Sequence, residues 1–212
     1  MVRLAIVVLL LLLIPSVAHA DAAMAREAMH EYFDGEQRGG YILIGMGAAG
    51  LVAGGLLYWQ GSTSPVARGA SYPLLGVGVL HIAAGIFVNV SSANRVDKFD
   101  DQITQDHSAW VRDESKRMEG VSTQFTVLKI AEIVIAAGGL TLAGVGWRTD
   151  RPRLKGAGLA IAAEMVLTLG FDIVAARRAH DYRDKLAQVG VAPMVDPVSQ
   201  APAYVLTYGG RF

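Results

Sequence analysis

Four stretches of the chain are each long and apolar enough to cross a lipid bilayer. They run over about 40–59, 72–90, 125–147 and 156–176. As helices of about 20 residues, each rising 1.5 Å per residue, they match about 30 Å of hydrocarbon. A backbone exposed to lipid must satisfy its own hydrogen bonds, and these stretches lack the period-two alternation of barrel strands. We therefore predict membrane-spanning helices.

The composition agrees with residence in a bilayer. Hydrophobic residues make up 52% of the chain and charged residues only 18%, whereas soluble domains carry about 25% charged residues. The formal net charge is zero, so nothing favours nucleic acid as a partner, because such a partner would require a basic face. The chain has no cysteine, which excludes disulfides and thiolate metal sites.

The first 20 residues have the pattern of an export signal. A basic start at Arg3 precedes an apolar run from Leu4 to Ile14, and Ala18-His19-Ala20 fits a cleavage site. The run is too short to span a bilayer comfortably. We predict a cleavable signal peptide over 1–20 and a mature chain beginning at Asp21; a retained N-terminal anchor is the alternative.

The two halves of the chain resemble each other. Ala-Gly-Gly-Leu at 53–56 recurs at 137–140, and Asp-Lys-Phe at 97–99 is matched by Asp-Lys-Leu at 184–186. The turn residues Pro65, Arg68, Gly69 and Ala70 are matched at constant spacing by Pro152, Lys155, Gly156 and Ala157. This pattern predicts two tandem hairpins pointing the same way. Convergence of glycine-rich apolar sequence is the alternative.

Small residues recur within the predicted spans, including Gly50 and Gly54 in the first and Gly138 and Gly139 in the third. In lipid, helices associate through close packing, which small residues permit. We expect these four glycines to lie at helix contacts.

Apolar stripes at helical spacing also continue outside the spans. One stripe precedes the first span, one follows the second and one follows the fourth. We expect them to meet in a small extramembrane cap; lying along the membrane interface is the alternative. The stripes comprise Ala25, Met29, Tyr32 and Phe33; Val96, Phe99, Ile103, Trp110 and Val111; and Ala179, Tyr182, Leu186 and Val189.

The predicted fold is an all-α membrane protein, a four-helix bundle built from two tandem related hairpins, with helical extensions and an irregular C-terminal tail. After the signal, the segments are an amphipathic helix (21–39), hairpin 1 (40–94), a polar helix and linker (95–124), hairpin 2 (125–176), a helical extension (177–189) and the tail (190–212).

Charge asymmetry predicts the orientation. Arg148, Arg151, Arg153 and Lys155 cluster at the turn of hairpin 2, whereas acids outnumber bases over 95–119. Basic loops face the cytoplasm. We therefore predict a bacterial inner-membrane protein with both mature termini in the periplasm, although Arg177 and Arg178 run against the rule.

The tail ends with aromatic and aliphatic residues of one parity, at Tyr204, Leu206, Tyr208 and Phe212. This ending resembles the C-terminal strand signal of bacterial outer-membrane barrel proteins. The resemblance covers about ten residues and implies an alternative location at the outer membrane, or docking of the tail as a strand on a partner's sheet.

Ionisable residues inside a span are functional candidates by default. His81 and Glu164 fall at matching depths of the second and fourth spans and are predicted to form a polar pair. Lys129 and Glu132 lie one turn apart and are predicted to form an ion pair. Asp172 lies near the outer end of the fourth span, where it needs no special role.

No residue pattern specifies a catalytic site, a cofactor site or a metal site. We expect a non-enzymatic structural or accessory subunit of a cell-envelope assembly, with lipid and either a protein partner or a second copy as its contacts. The alternatives are a small transporter or proton-linked channel using His81 and Glu164, and an intramembrane enzyme.

Overall fold

The computed structural model describes the backbone of residues 2–189, 194–195 and 202–203 and the side chains of residues 22–189. Three helices account for nearly all of it: α1 (Val2–Gln60), α2 (Pro65–Arg148) and α3 (Pro152–Val189). Two short strands, β1 (Met194–Val195) and β2 (Pro202–Ala203), pair antiparallel in the tail. Residues 204–212, with the barrel-like ending, and the side chains of the predicted signal lie outside the described residues.

All three helices are long and apolar enough to cross a membrane. The expectation of four separate helices is wrong, because 72–90 and 125–147 both belong to the 84-residue helix α2. The polar segment between them holds no proline, and it keeps helical hydrogen bonding on both sides of Asp106, the one residue of α2 with non-helical backbone angles.

Helix α2 reverses direction at Asp106. A straight helix of 84 residues would extend for about 125 Å, yet Gly69 and Gly146, near its opposite ends, both lie against residues 153–155 at the start of α3. The backbone of Asp106 is extended (φ −153°, ψ 89°). Its carboxylate accepts hydrogen bonds from the Ala109 amide (3.0 Å) and the Ser108 hydroxyl (2.8 Å), which caps the helix that follows. We refer to residues 65–105 as the first arm of α2 and to residues 107–148 as its second arm.

The connections to α1 and α3 are tight turns with recognisable start signals. The Ser64 hydroxyl caps α2 by accepting from the Ala67 amide, and Pro65 follows at the first helical position. Asp150 has a positive φ of 51°, and Pro152 opens α3. Cations stack on aromatic rings at this end, Arg68 on Tyr58 and Lys155 on Trp147, as expected for a membrane interface.

The opposite end of the bundle forms a cap, which we define as residues 22–38, 93–124 and 177–189. The apolar stripes predicted from sequence meet there in one core, in which Met29, Phe33 and Leu186 are fully buried. Phe33 packs edge-on against Phe99, and Phe99 against Trp110. The cap therefore contains parts of all three helices and both arms of α2.

The remaining described parts of the helices form what we call the membrane layer. Its outer surface is apolar and its helices touch through glycine. Gly47 and Gly78 face each other's backbone, as do Gly139 and Gly158. The outward-facing side chains include Val52, Leu56, Leu80, Phe87, Val134, Leu140, Val166 and Leu167, all more than half exposed.

The tightest crossing is reciprocal. Gly69 on the first arm lies against the Arg153 carbonyl, and Gly156 on α3 lies against the Val66 carbonyl. The two contacts have the same form, since Val66 lies three residues before Gly69 and Arg153 lies three residues before Gly156.

Candidate functional site: a buried polar line in the membrane layer

Three polar residues lie along one face of α3. Glu164, Thr168 and Asp172 are spaced four apart, which places them one above the other on a helix. Glu164 and Asp172 are each only 8% exposed. Gly156 and Ala160 continue the same face toward the turn and are buried as well. The face therefore points into the bundle, and each polar residue meets a different neighbour.

Asp172 meets Glu132 on the second arm of α2. The two carboxyl groups lie close enough to interact directly, and a proton on either of them would complete a hydrogen bond between them. Glu132 is 6% exposed, and its Oε2 has no conventional hydrogen-bond donor among the described residues. Glu132 lies eight residues after the end of the cap segment at 124, and Asp172 lies five residues before the segment that starts at 177. The contact is therefore about 10 Å below the cap.

One turn deeper, His81 on the first arm meets Thr168, with 3.1 Å between Nε2 and Oγ1. The Thr168 hydroxyl donates its single hydrogen to the Glu164 carbonyl (2.9 Å), so it can only accept from His81. Nε2 therefore carries a hydrogen and, in the neutral ring, Nδ1 carries the free lone pair. Nδ1 is buried without a partner among the described residues.

The predicted pair of His81 and Glu164 is not brought into hydrogen-bonding contact. The structure interposes Thr168 between them, and the Glu164 carboxyl faces α1 at Gly50. A Cβ added at Gly50 would lie 3.9 Å from the Glu164 Oε1. Glycine at this position leaves room beside a carboxyl group in the bundle centre.

The predicted pair of Lys129 and Glu132 is not among the ion pairs within residues 22–189. Glu132 turns inward to Asp172, and Lys129 lines a surface groove between the second arm and α3. That groove runs from the cap down to Lys129 and Ile173.

The predicted packing glycines divide into two groups. Gly50, Gly54 and Gly139 face neighbouring helices, whereas Gly138 has open space where a Cβ would stand. Gly54 lies against Leu75 and Gly139 against the Gly158 carbonyl. Of two adjacent glycines in the second arm, therefore, only one lies at a helix contact.

A second polar cluster lies in the cap. The Arg117 guanidinium donates two hydrogen bonds of 2.6 Å to Glu114, whose side chain is 1% exposed. Tyr182 donates to the same carboxylate, and its ring stacks on Tyr32 at 4.3 Å. Burial lowers the pKa of Arg117, but the hydrogen bonds and charge of Glu114 outweigh it and raise that pKa above its ordinary value.

The hydroxyls of this cluster stay neutral. Burial first, and then the charge of Glu114, raises the pKa of Tyr182; burial and Glu36 do the same for the pKa of Tyr32. Tyr32 and Ser92 both donate to Glu36, at 2.6 and 2.7 Å. Both carboxylates of this cluster, Glu114 and Glu36, are thus met by donors, so the cluster locks the helices together.

Sequence reasoning missed the roles of Asp172 and Thr168. The four-residue spacing of Glu164, Thr168 and Asp172 was the available signal, since it marks one inward face of α3. Within residues 22–189, no three histidine, aspartate or glutamate side chains come together as a metal site.

Comparison with known proteins returned no matching family model, no similar curated protein and no similar solved structure.

Proposed function

We propose that this chain is a non-enzymatic structural or accessory subunit of a cell-envelope assembly, anchored by four membrane crossings and presenting its cap outside the cytoplasm. Both arms of α2 cross the bilayer in this proposal, together with α1 and α3. The signal peptide, the inner-membrane location and the periplasmic mature termini are parts of the same proposal.

The observation that carries the proposal is the cap. It has its own aromatic core and a buried polar cluster with paired carboxylates. The part of α1 whose side chains the structure describes, Ala22–Gln60, holds 39 residues. As a helix it is about 58 Å long, of which about 30 Å suffices for a bilayer. Such an ordered extension offers a rigid surface to another protein, whereas a simple anchor would need none.

The crossing pattern is supported by where the turns lie. The α1–α2 and α2–α3 turns lie at the same end of the bundle, and Arg148, Arg151, Arg153 and Lys155 surround the second of them. The reversal at Asp106 lies at the other end, in an acid-rich segment. Basic residues on one side and acidic residues on the other favour a cytoplasmic location for the turns.

The reciprocal contact of Gly69 and Gly156 favours a tandem repeat. Under the same spacing, His81 corresponds to Thr168, its own hydrogen-bond partner, 87 positions later. Two copies related by an axis along the membrane normal would place corresponding residues against each other in this way.

Site-specific photocrosslinking tests the structural role. A photoreactive residue at the exposed cap positions Gln102 or Asp113 is expected to capture a defined protein in intact membranes. The matched control is Val134, which is 64% exposed in the membrane layer and faces lipid in this proposal. Absence of any protein adduct at both cap positions would contradict the proposal.

Removal of residues 190–212 tests the tail separately. If the tail docks on a partner, purification of the shortened protein in mild detergent is expected to lose a partner that the full chain retains. Retention of that partner would assign the contact to the cap.

A further inference from the structure

We propose that Glu132 and Asp172 form a proton-binding site in the membrane layer, holding one proton between them at neutral pH and exchanging it with water on the cap side. This goes beyond the structural role proposed above and does not depend on it.

The first argument is the cost of two charges. Both side chains are more than nine-tenths buried, and their carboxyl groups are in contact. Two adjacent carboxylates in a low dielectric repel each other strongly, and the usual outcome is that one of them retains a proton. A protonated carboxyl then donates to its ionised neighbour, which supplies the donor that the contact otherwise lacks.

The second argument is the surrounding charge, taken helix by helix. The first arm contributes His81, close enough to Asp172 to interact with it electrostatically, and the second arm contributes Lys129. Helix α3 adds Glu164 two turns deeper, and α1 has no ionisable side chain between Arg38 and Gln60 except Tyr41 and Tyr58. Lys129 can balance one remaining negative charge on the pair, whereas two negative charges would also need a protonated His81.

The third argument is the free Nδ1 of His81. It is an unpartnered basic nitrogen on a side chain that is 7% exposed. Most buried polar atoms in proteins have a hydrogen-bond partner, so a buried acceptor without one among the described residues is available to take a proton. A proton acceptor one turn from a protonated carboxyl is what a proton-binding site requires.

The fourth argument is access. A groove lined by Ser122, Thr126 and Lys129 on one side and by Ile173 and Arg177 on the other leads from the cap surface to Lys129, about one turn on the cap side of Glu132, and to Ile173, the residue after Asp172. Water can therefore reach the neighbourhood of the carboxyls from one side of the membrane.

Infrared spectroscopy of the full chain in lipid nanodiscs tests the proposal. The difference between the intact protein and the E132Q/D172N double variant at neutral pH is expected to contain one carboxylic-acid C=O band per chain. If the double variant lost no acid band, both groups would be ionised in the intact protein. If it lost two, both would be neutral. Either result overturns the proposal. Asp113→Asn, at an exposed acid, is the matched control and should leave the acid bands unchanged.

A measurement on the unmodified protein keeps the proposal testable if the double variant does not fold. The intact protein is expected to show a carboxylic-acid band at neutral pH that moves to lower frequency on transfer to D₂O. No acid band at neutral pH would refute the shared proton, and a band that never shifts would refute exchange with water.

Discussion

The cap and the membrane layer hold the same helices together by opposite means. In the cap, bulky side chains fill the space between helices and the Glu114 and Glu36 carboxylates are met by donors. In the membrane layer, glycines bring backbones together, and two of the three inward carboxyls, Glu132 and Asp172, meet each other. In the proposed membrane architecture, the hydrophobic effect of water drives burial of large apolar groups in the cap. Helices surrounded by lipid associate instead through close packing.

The largest expected effect is loss of a cap-core side chain. Phe33 is fully buried among Tyr32, Phe99 and the other core residues. Phe33→Ala should lower the free energy of unfolding by about 3–5 kcal/mol, because it removes apolar contact and leaves a cavity. Denaturant titration of the detergent-solubilised protein measures this. Phe87→Ala, at a residue 71% exposed in the membrane layer, is the control and should cost far less.

The next effect is expected at the buried ion pair of the cap. Glu114→Ala leaves the Arg117 guanidinium without its two hydrogen bonds and should cost about 3 kcal/mol. The adjacent acid Asp113, with a side chain 79% exposed, provides the comparison. If Asp113→Ala destabilised the protein as much as Glu114→Ala, the cap cluster would not have the structural role assigned to it.

The cap is the part of the fold that the sequence predicts best. The cap stripes follow from helical periodicity, and turn signals such as Ser64-Pro65 are local, so both could be read in advance. The sequence predicted that the chain turns back between the second and third spans, but not that it does so at Asp106, because apolar periodicity continues on either side of that residue. The contact of Glu132 with Asp172 was missed because it depends on the relative rotation and depth of two separate helices.

Adjacent glycines of the second arm test the membrane layer. A Cβ at Gly139 would lie 2.8 Å from the Gly158 carbonyl, while one at Gly138 meets nothing within 4 Å. Gly139→Ala should therefore destabilise by about 1–3 kcal/mol through overpacking. Gly138→Ala should be neutral or stabilising by up to about 1 kcal/mol, because alanine favours the helix. Equal effects in the same unfolding assay would show that glycine packing does not hold this layer together.

The smallest effect is expected at the reversal between the arms. Hydrogen bonds from the Ala109 amide and then the Ser108 hydroxyl lower the pKa of Asp106 below its ordinary 3.8. Because the pKa of Asp106 is lowered in the folded state, the ionised carboxylate stabilises the fold fully at pH values above 3.8. This stabilisation is lost as the pH falls through the lowered pKa. Asp106→Ala should slightly reduce the melting temperature at neutral pH, and the difference from the unmodified protein should vanish in strong acid. A difference in melting temperature that grows as the pH falls would contradict the helix-capping role of Asp106.

The most direct test of the account is the side of the membrane on which each turn lies. The chain has no cysteine, so single cysteines at the exposed positions Ser62, Gln105 and Thr149 report without background. With a membrane-impermeant thiol reagent on intact spheroplasts, we predict labelling at position 105 and protection at positions 62 and 149 until the membrane is opened. Labelling of 62 and 105 from the same side would contradict a crossing by the first arm of α2 and, with it, the four-crossing architecture.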